Sequence, residues 1–184
     1  MFQKEGLPQT IHHHHLRTVF SIKKAATGDI SLIRELTFKV WPQTYAGILS
    51  RQQIDYMLEM MYSEAALKKQ MEDNCQFIFV YEDDEPVGFA SYQEIKPSIW
   101  KLHKIYVLLS QQGKGTGKFM IDHIIKQIQQ RGATSLELQV NRDNKAKGFY
   151  ERLGFAEKET ISLDIGNGFF MNDYIMVKKL SADR

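Results

Sequence analysis

The chain has 184 residues, 43% hydrophobic and 25% charged; this fits a globular protein with a core of its own and excludes a disordered or fibrous one. A net charge of +2, with no more than two consecutive Lys or Arg residues, gives no electrostatic footprint for nucleic acid. No apolar run approaches the roughly 20 residues needed to span a bilayer, and with Cys75 the only cysteine an intrachain disulfide is excluded. Met1 to Thr10 carries Lys4, Glu5 and Pro8 and no apolar core, so a cytoplasmic location is expected. The reading is one domain over residues 1–184, with 1–18 as an N-terminal extension. His12 to His15 form a short run with no acidic or cysteine neighbour to complete a metal site, and no metal is expected.

Val19 to Lys24 reads as a strand. Thr27 or Asp29 is placed to cap a helix reaching about Val40, with Ile30, Ile33, Leu36, Phe38 and Val40 supplying its apolar residues. Trp41 to Leu49 holds Pro42 and Gly47 and reads as a loop. Ser50-Arg51-Gln52-Gln53 is a capping-box sequence for a helix to about Tyr62, and Ser63 caps another to about Glu72. Gln76 to Tyr81 and Pro86 to Gln93 read as two strands joined by Glu82-Asp83-Asp84-Glu85, an acidic, solvated hairpin tip. Leu102 to Leu108 follows as a third strand.

Next comes a Gly-rich stretch, Gly113 to Gly117, opening a helix with Met120, Ile121, Ile124, Ile125 and Ile128 on its apolar face. Gly132 ends it. Leu136 to Val140 is a strand, Asn144 to Leu153 a short helix stopped by Gly154. Two strands close the chain, about Glu157 to Ile165 and Phe170 to Lys179, turned by Gly166-Asn167-Gly168. Antiparallel hairpins combined with one strand–helix–strand crossover predict an α/β protein, a mixed sheet flanked by helices.

Glycines between a strand and an amphipathic helix let the backbone approach a ligand closely, and the free N–H groups and positive dipole end of the helix favour phosphate. Lys114 and Lys118 add charge. A pyrophosphate ligand is the natural inference. The P-loop pattern fails because Lys118 stands where its second Gly is required, and the Rossmann pattern fails at the same residue.

The stretch Gln112-Gly113-Lys114-Gly115-Thr116-Gly117 matches Gln/Arg-x-x-Gly-x-Gly/Ala, and so resembles the pyrophosphate-binding signature of the GNAT superfamily of N-acetyltransferases. Asn144-Lys145-Ala146-Lys147-Gly148-Phe149-Tyr150-Glu151-Arg152-Leu153-Gly154-Phe155 is similar to a second segment of that family, with its Asn-to-Ala spacing one residue shorter. The resemblance covers roughly Ile22 to Leu180. It implies a mostly antiparallel sheet with a central splayed parallel strand pair, and acetyl-coenzyme A as cosubstrate. Ile105, Tyr106 and Val107 would pair with the pantetheine arm. Gln112, Gly113, Lys114, Gly115, Thr116, Gly117 and Lys118 would hold the pyrophosphate, with Asn144, Lys147 and Phe149 as further cofactor contacts.

The same resemblance implies acetyl transfer to a primary amine by direct attack, with Tyr150 protonating the departing thiolate. The Val107 N–H is a candidate for steadying the oxyanion. His103 is the first candidate for accepting the amine's proton and Glu94, at the end of the preceding strand, the second. Trp41, Thr44 and Tyr45 lie in the segment that lines the acceptor site in this family, and aromatic rings there can hold a cationic amine. The run around them, with Ile48-Leu49 and Asp173 to Lys178, is similar to a bacterial subgroup that includes spermidine/spermine acetyltransferases. The acceptor is left open between a polyamine-like small molecule and a peptide amine, and the assembly between a monomer and a homodimer. A cofactor-bound sensor without turnover is the other reading.

Overall fold

A computed structural model describes residues 18–181. The His12–His15 run, and all of the 1–18 extension but its last residue, lie outside the described residues. The strands are β1 (Phe20–Lys24), β2 (Gln76–Glu82), β3 (Glu85–Lys96), β4 (Ile99–Val107), β5 (Ser135–Asn141), β6 (Ala156–Gly166) and β7 (Phe169–Lys179). The helices are α1 (Ile30–Tyr45), α2 (Arg51–Tyr62), α3 (Glu64–Glu72), α4 (Thr116–Gln129) and α5 (Ala146–Arg152). The strands form a single sheet in the order β1-β2-β3-β4-β5-β7-β6. Among the described residues only β4 and β5 run parallel, joined by the crossover through α4. The sheet is mixed, mostly antiparallel and helix-flanked, as the sequence predicts.

Both faces of the central strands are covered, which explains their near-continuous apolar character. On β2, Ile78 and Val80 point into a core with α4 and α5, formed by Met120, Ile121, Ile124, Ile128 and Tyr150. Phe77 and Phe79, alternating with them, point into a second core with α1, α2 and α3, formed by Ile33, Leu36, Trp41, Ile54, Tyr62 and Leu67. No helix among the described residues is long and apolar enough to cross a membrane.

Three local readings need correction. The helix expected to stop near Val40 runs on to Tyr45, with Pro42 inside its last turns. Pro42 forfeits one backbone bond and its ring strains the turn before it. Trp41 and Tyr45, one helical turn apart, are both buried in the second core, and that burial offsets the loss. The acidic hairpin closes on Asp83 and Asp84 alone, while Glu82 ends β2 and turns inward. The Ser50 cap is formed, its Oγ accepting from Gln53 N at 3.1 Å, but the Gln53 side chain donates to Phe170 O at 2.6 Å instead of closing a box. With Tyr56 donating to Ile165 O at 2.7 Å, that bond ties α2 to the β6–β7 hairpin.

Candidate active site

The site begins where β4 and β5 part. Their pairing runs from Ile99↔Ser135 to Leu102↔Leu138 and goes no further. The β3–β4 register slips at the same place: Ser91 faces Lys104 and Tyr92 faces Leu102, leaving His103 as the extra residue of a bulge. Leu108 N donates to Val87 O at 2.9 Å. Alternation along an antiparallel strand then turns the polar groups of Tyr106 toward β3, and those of Ile105 and Val107 into the gap. Gly88 fits this geometry, because a Cβ on it would lie 2.6 Å from Tyr106 O and 3.0 Å from the Val107 side chain. The gap therefore offers backbone N–H and C=O groups from Ile105 and Val107 that no strand among the described residues pairs with, which suits an extended amide-bearing chain.

At the end of β4 lies the Gly-rich loop. Gly113 and Gly115 have φ of 79° and 81°, in the region that favours glycine, and open space surrounds the position of a Cβ on either. α4 starts at Thr116, so Gly117 lies inside its first turn, where a Cβ would meet the Phe149 ring at 3.0 Å. The first backbone bond of α4 runs from Phe119 N to Gly115 O, and the amides of Gly115, Thr116, Gly117 and Lys118 have no acceptor among the described residues. Free N–H groups at a helix start are a ready anion cradle, and the residues present fit a pyrophosphate.

A buried residue that sequence reasoning passed over holds this loop. Gln111, 3% exposed, donates to Glu82 Oε2 at 2.6 Å and accepts from Thr116 Oγ1 at 2.8 Å. Lys114 Nζ reaches Glu82 Oε1 at 3.2 Å. Gln111 and Lys114 together hold the Glu82 carboxyl below its usual range. Glu82 is thus a loop anchor rather than part of a solvated tip, and Lys114, expected beside phosphate, is paired with it. The Lys118 ammonium pairs with Asp122, one turn along α4.

Tyr150 lies on α5, whose first residue Ala146 donates its N–H to Asn144 Oδ1 at 2.9 Å. Its ring packs between Phe149 and Phe155, with centroids 5.4 and 5.9 Å away. Burial raises its phenol above the ordinary range, and the neighbouring Tyr45 adds to the shift. From the opposite core, Tyr45 and Tyr106 share a hydrogen bond of 3.0 Å between their hydroxyls; Tyr106 in turn feels Tyr150. The two cores thus meet through the splay, with Tyr150 on one side and the Tyr45–Tyr106 pair on the other. Trp41 is buried, its ring tilted against Tyr45 at 4.6 Å and Tyr106 at 6.0 Å between centroids. It buttresses that pair and presents no free face to solvent. The Thr44 hydroxyl is taken up by Val40 O at 3.0 Å.

The two expected proton acceptors differ in placement. The Glu94 carboxylate accepts from Ser98 N at 2.9 Å, closing the β3–β4 turn. His103 sits on the bulge with Nε2 3.1 Å from Gln93 Oε1. Desolvation, then the charges of Lys101 and Lys104, lower its pKa to about 4; its exposed edge lets water screen part of that effect. Lys147 Nζ lies between Glu157 at 3.1 Å and Glu151 at 3.5 Å and over the Tyr174 ring.

One carboxylate near the splay is marked in the sequence only as the first residue of the run Asp173 to Lys178. Asp173 on β7 lies opposite Asn141, the last residue of β5, and is 4% exposed. Its charge reaches Tyr45. A surface depression of about 490 Å³ lined in part by Met71, Cys75, Phe77 and Arg131 contains no residue of either motif, and burial pushes the Cys75 thiol up. No cluster of three or more metal-ligating side chains occurs among the described residues.

Comparison with known proteins agrees with this geometry. The family model of the acetyltransferase (GNAT) domain matches residues 45–171. A spermidine N(1)-acetyltransferase from Thermoplasma acidophilum is 26% identical over 88% of the chain and 98% of its own length. A [ribosomal protein bS18]-alanine N-acetyltransferase from Haemophilus influenzae is 30% identical, but over 52% of the chain and 65% of its own length. Among solved structures, a PaiA N-acetyltransferase from Thermoplasma acidophilum in complex with coenzyme A superposes with a TM-score of 0.75 at 25% identity, covering 88% of this chain and 99% of that one. The chain belongs to the GNAT family and is an acetyl-coenzyme A-dependent N-acetyltransferase.

Proposed function

We propose that the chain acetylates a primary amine carried by a small cationic molecule of the polyamine kind, by direct attack of the amine on the thioester. The single observation that carries this reading is the meeting of Tyr150 with the Tyr45–Tyr106 pair across the β4–β5 splay, beside the glycine cradle. The full-length similarity to a spermidine acetyltransferase supports the acceptor class. A peptide amine is the alternative acceptor.

The amides of Gly113, Gly115, Thr116, Gly117 and Lys118, with Gln112 beside them, hold the pyrophosphate. Lys114 lends charge from its place on Glu82. Ile105 and Val107 bind the pantetheine arm through their backbone groups, while Tyr106 keeps its own toward β3. Asn144, Lys147 and Phe149 line the α5 side. Acetyl-coenzyme A supplies the activated acyl group and a sulfur leaving group. The Val107 N–H, turned into the gap, would steady the negative charge on the acyl oxygen. Tyr150 keeps its proton well above neutral pH because burial disfavours the phenolate, and gives it to the departing sulfur. Glu94, held in a turn, has no part in proton removal on this reading. His103, on the bulge with its Nε2 beside Gln93 Oε1, is likewise given no part in proton removal on this reading.

The test is thiol release from acetyl-coenzyme A across polyamines, arylalkylamines, aminoglycosides, amino acids and peptide N-termini. Release with polyamines is the expected result. Release with peptides alone would replace the acceptor class, and tight acetyl-coenzyme A binding with no release from any amine would favour the sensor reading.

A further inference from the structure

We propose that Asp173 receives the acceptor's ammonium group and takes its proton, an assignment that rests on the acetyl-transfer reading above. Asp173 projects from β7 on the face opposite Tyr174 and Met176, which pack into the α4–α5 core. It therefore shares the face that carries Tyr45 and Tyr106. In register it lies across from Asn141, at the open end of the splay, and across from Ile161 on β6.

Two observations set its carboxylate apart. Although only 4% exposed, it accepts no hydrogen bond from the described residues. A buried carboxylate without donors is costly. Yet its oxygens are not among the sealed, unpartnered polar atoms, which belong to Trp41, Ser91 and Trp100. They therefore keep some contact with solvent. An arriving ammonium would supply the missing donors.

The charged and titratable groups around it fit that use. Lys101 of β4 and Arg142 after β5 act on Asp173 through space. Arg142 is committed to Ile161 O at 2.8 Å, and Lys101 lies beside Glu137 in the β4–β5 register. Tyr45 faces Asp173 from α1, and His103 on the bulge is neutral at pH 7. Burial raises the Asp173 carboxyl against the pull of Lys101 and Arg142, making it a stronger base than an ordinary aspartate.

The protons balance. The ammonium gives one proton to Asp173 and becomes a neutral amine. Its nitrogen bonds to the acyl carbon as the carbon–sulfur bond breaks, and the electron pair leaves on sulfur. Tyr150 protonates the sulfur and is restored by the second N–H proton as the amide forms. Asp173 then releases its proton to water.

The experiment compares wild type with Asp173→Asn, which keeps shape and removes the charge. With spermidine as acceptor, kcat/KM is expected to fall by at least about 100-fold with acetyl-coenzyme A affinity unchanged by calorimetry. The wild-type acid limb of kcat/KM, lost as pH falls through the raised carboxyl pKa, should be missing in the variant. A kcat/KM within about threefold of wild type with the acid limb intact would overturn the assignment, since 1.4 kcal/mol is already tenfold. A measurement on the unaltered protein covers a variant that fails to fold and needs no turnover. Calorimetry of the coenzyme A-loaded protein should detect binding of a primary n-alkylammonium probe and not of the uncharged alcohol of the same chain length; equal binding of the two would overturn the assignment. Failure to bind acetyl-coenzyme A at all would instead overturn the reading on which it rests.

Discussion

Replacing Tyr150 by Phe isolates one step of the proposed reaction. The Tyr150 hydroxyl is the only group the substitution removes, and it takes part in no hydrogen bond with the described residues. The ring remains packed between Phe149 and Phe155, so no cavity opens and no donor or acceptor is orphaned. Stability is expected to change by less than about 1 kcal/mol, read as a melting temperature within a few degrees of wild type. Turnover should respond far more, since a positioned acid contributes roughly 10²- to 10⁴-fold, or about 2.7 to 5.4 kcal/mol of barrier at 1.36 kcal/mol per decade. The assay is thiol release in single turnover, so that product release does not mask chemistry, with acetyl-coenzyme A affinity measured separately. The raised pKa adds a check: wild-type turnover should show no loss of its acid between pH 8 and about 10, where an unperturbed phenol begins to ionise. Unchanged single-turnover rate in the variant would refute the assignment, and loss of cofactor binding would make Tyr150 a packing residue.

Gly88→Ala would set a methyl group 2.6 Å from Tyr106 O; overpacking of this kind costs about 1–3 kcal/mol, and because β4 must shift, turnover should fall more than stability alone explains, as thermal melts and kinetics together would show. Gln111→Ala removes an acceptor from the buried Thr116 hydroxyl and a donor from Glu82, so a loss of about 1–3 kcal/mol and weaker acetyl-coenzyme A binding are expected by melting and calorimetry. His103 gives a pH prediction. Its folded pKa, about 4, lies below the unfolded value, so its contribution to stability is present above about pH 6.5 and is lost as pH falls toward 4. Acid unfolding should therefore shift to lower pH in His103→Gln, while the kcat/KM profile between pH 6 and 8 should stay unchanged; an inflection near 6.5 that vanishes in the variant would restore His103 as the base.

The order of elements was legible because each carried local chemistry. Asn167 and Gly168, with φ of 56° and 78°, are the pair a two-residue hairpin turn demands, and the Ile121–Ile124–Ile128 stripe is buried as its period requires. The glycine cradle was legible for the same reason. What escaped depends on tertiary contact. Pro42 reads as a helix breaker until Trp41 and Tyr45 are seen to be buried on either side of it. Glu82 reads as surface until Gln111 and Lys114 reach it from 29 and 32 residues away. Glu94, read as a base, is held by Ser98 in a turn four residues on. Asp173 sits in an alternating strand where nothing local separates an inward aspartate from an outward one; only the pairing with Asn141 places it near the splay.

The bulge at His103 links several of these features. With one extra residue between them, Leu102 and Ile105 both pack on the α4–α5 core, and His103 and Lys104 share the other side. Pairing with β5 ends at Leu102, immediately before the bulge. A bulge bends its strand and increases local twist, which turns β4 away from β5 and opens the splay. It also carries Lys104 inward to 8% exposure, where no carboxylate among the described residues pairs with it. Gln70 Oε1 accepts from it at 2.9 Å and the Tyr62 ring lies 5.0 Å away, and desolvation lowers its pKa to about 8. A buried lysine so incompletely paired is expensive. It sits beside Tyr62, within the aromatic cluster that supports Tyr45 and Tyr106, and the bulge that places it there is the same one at which β4 leaves β5.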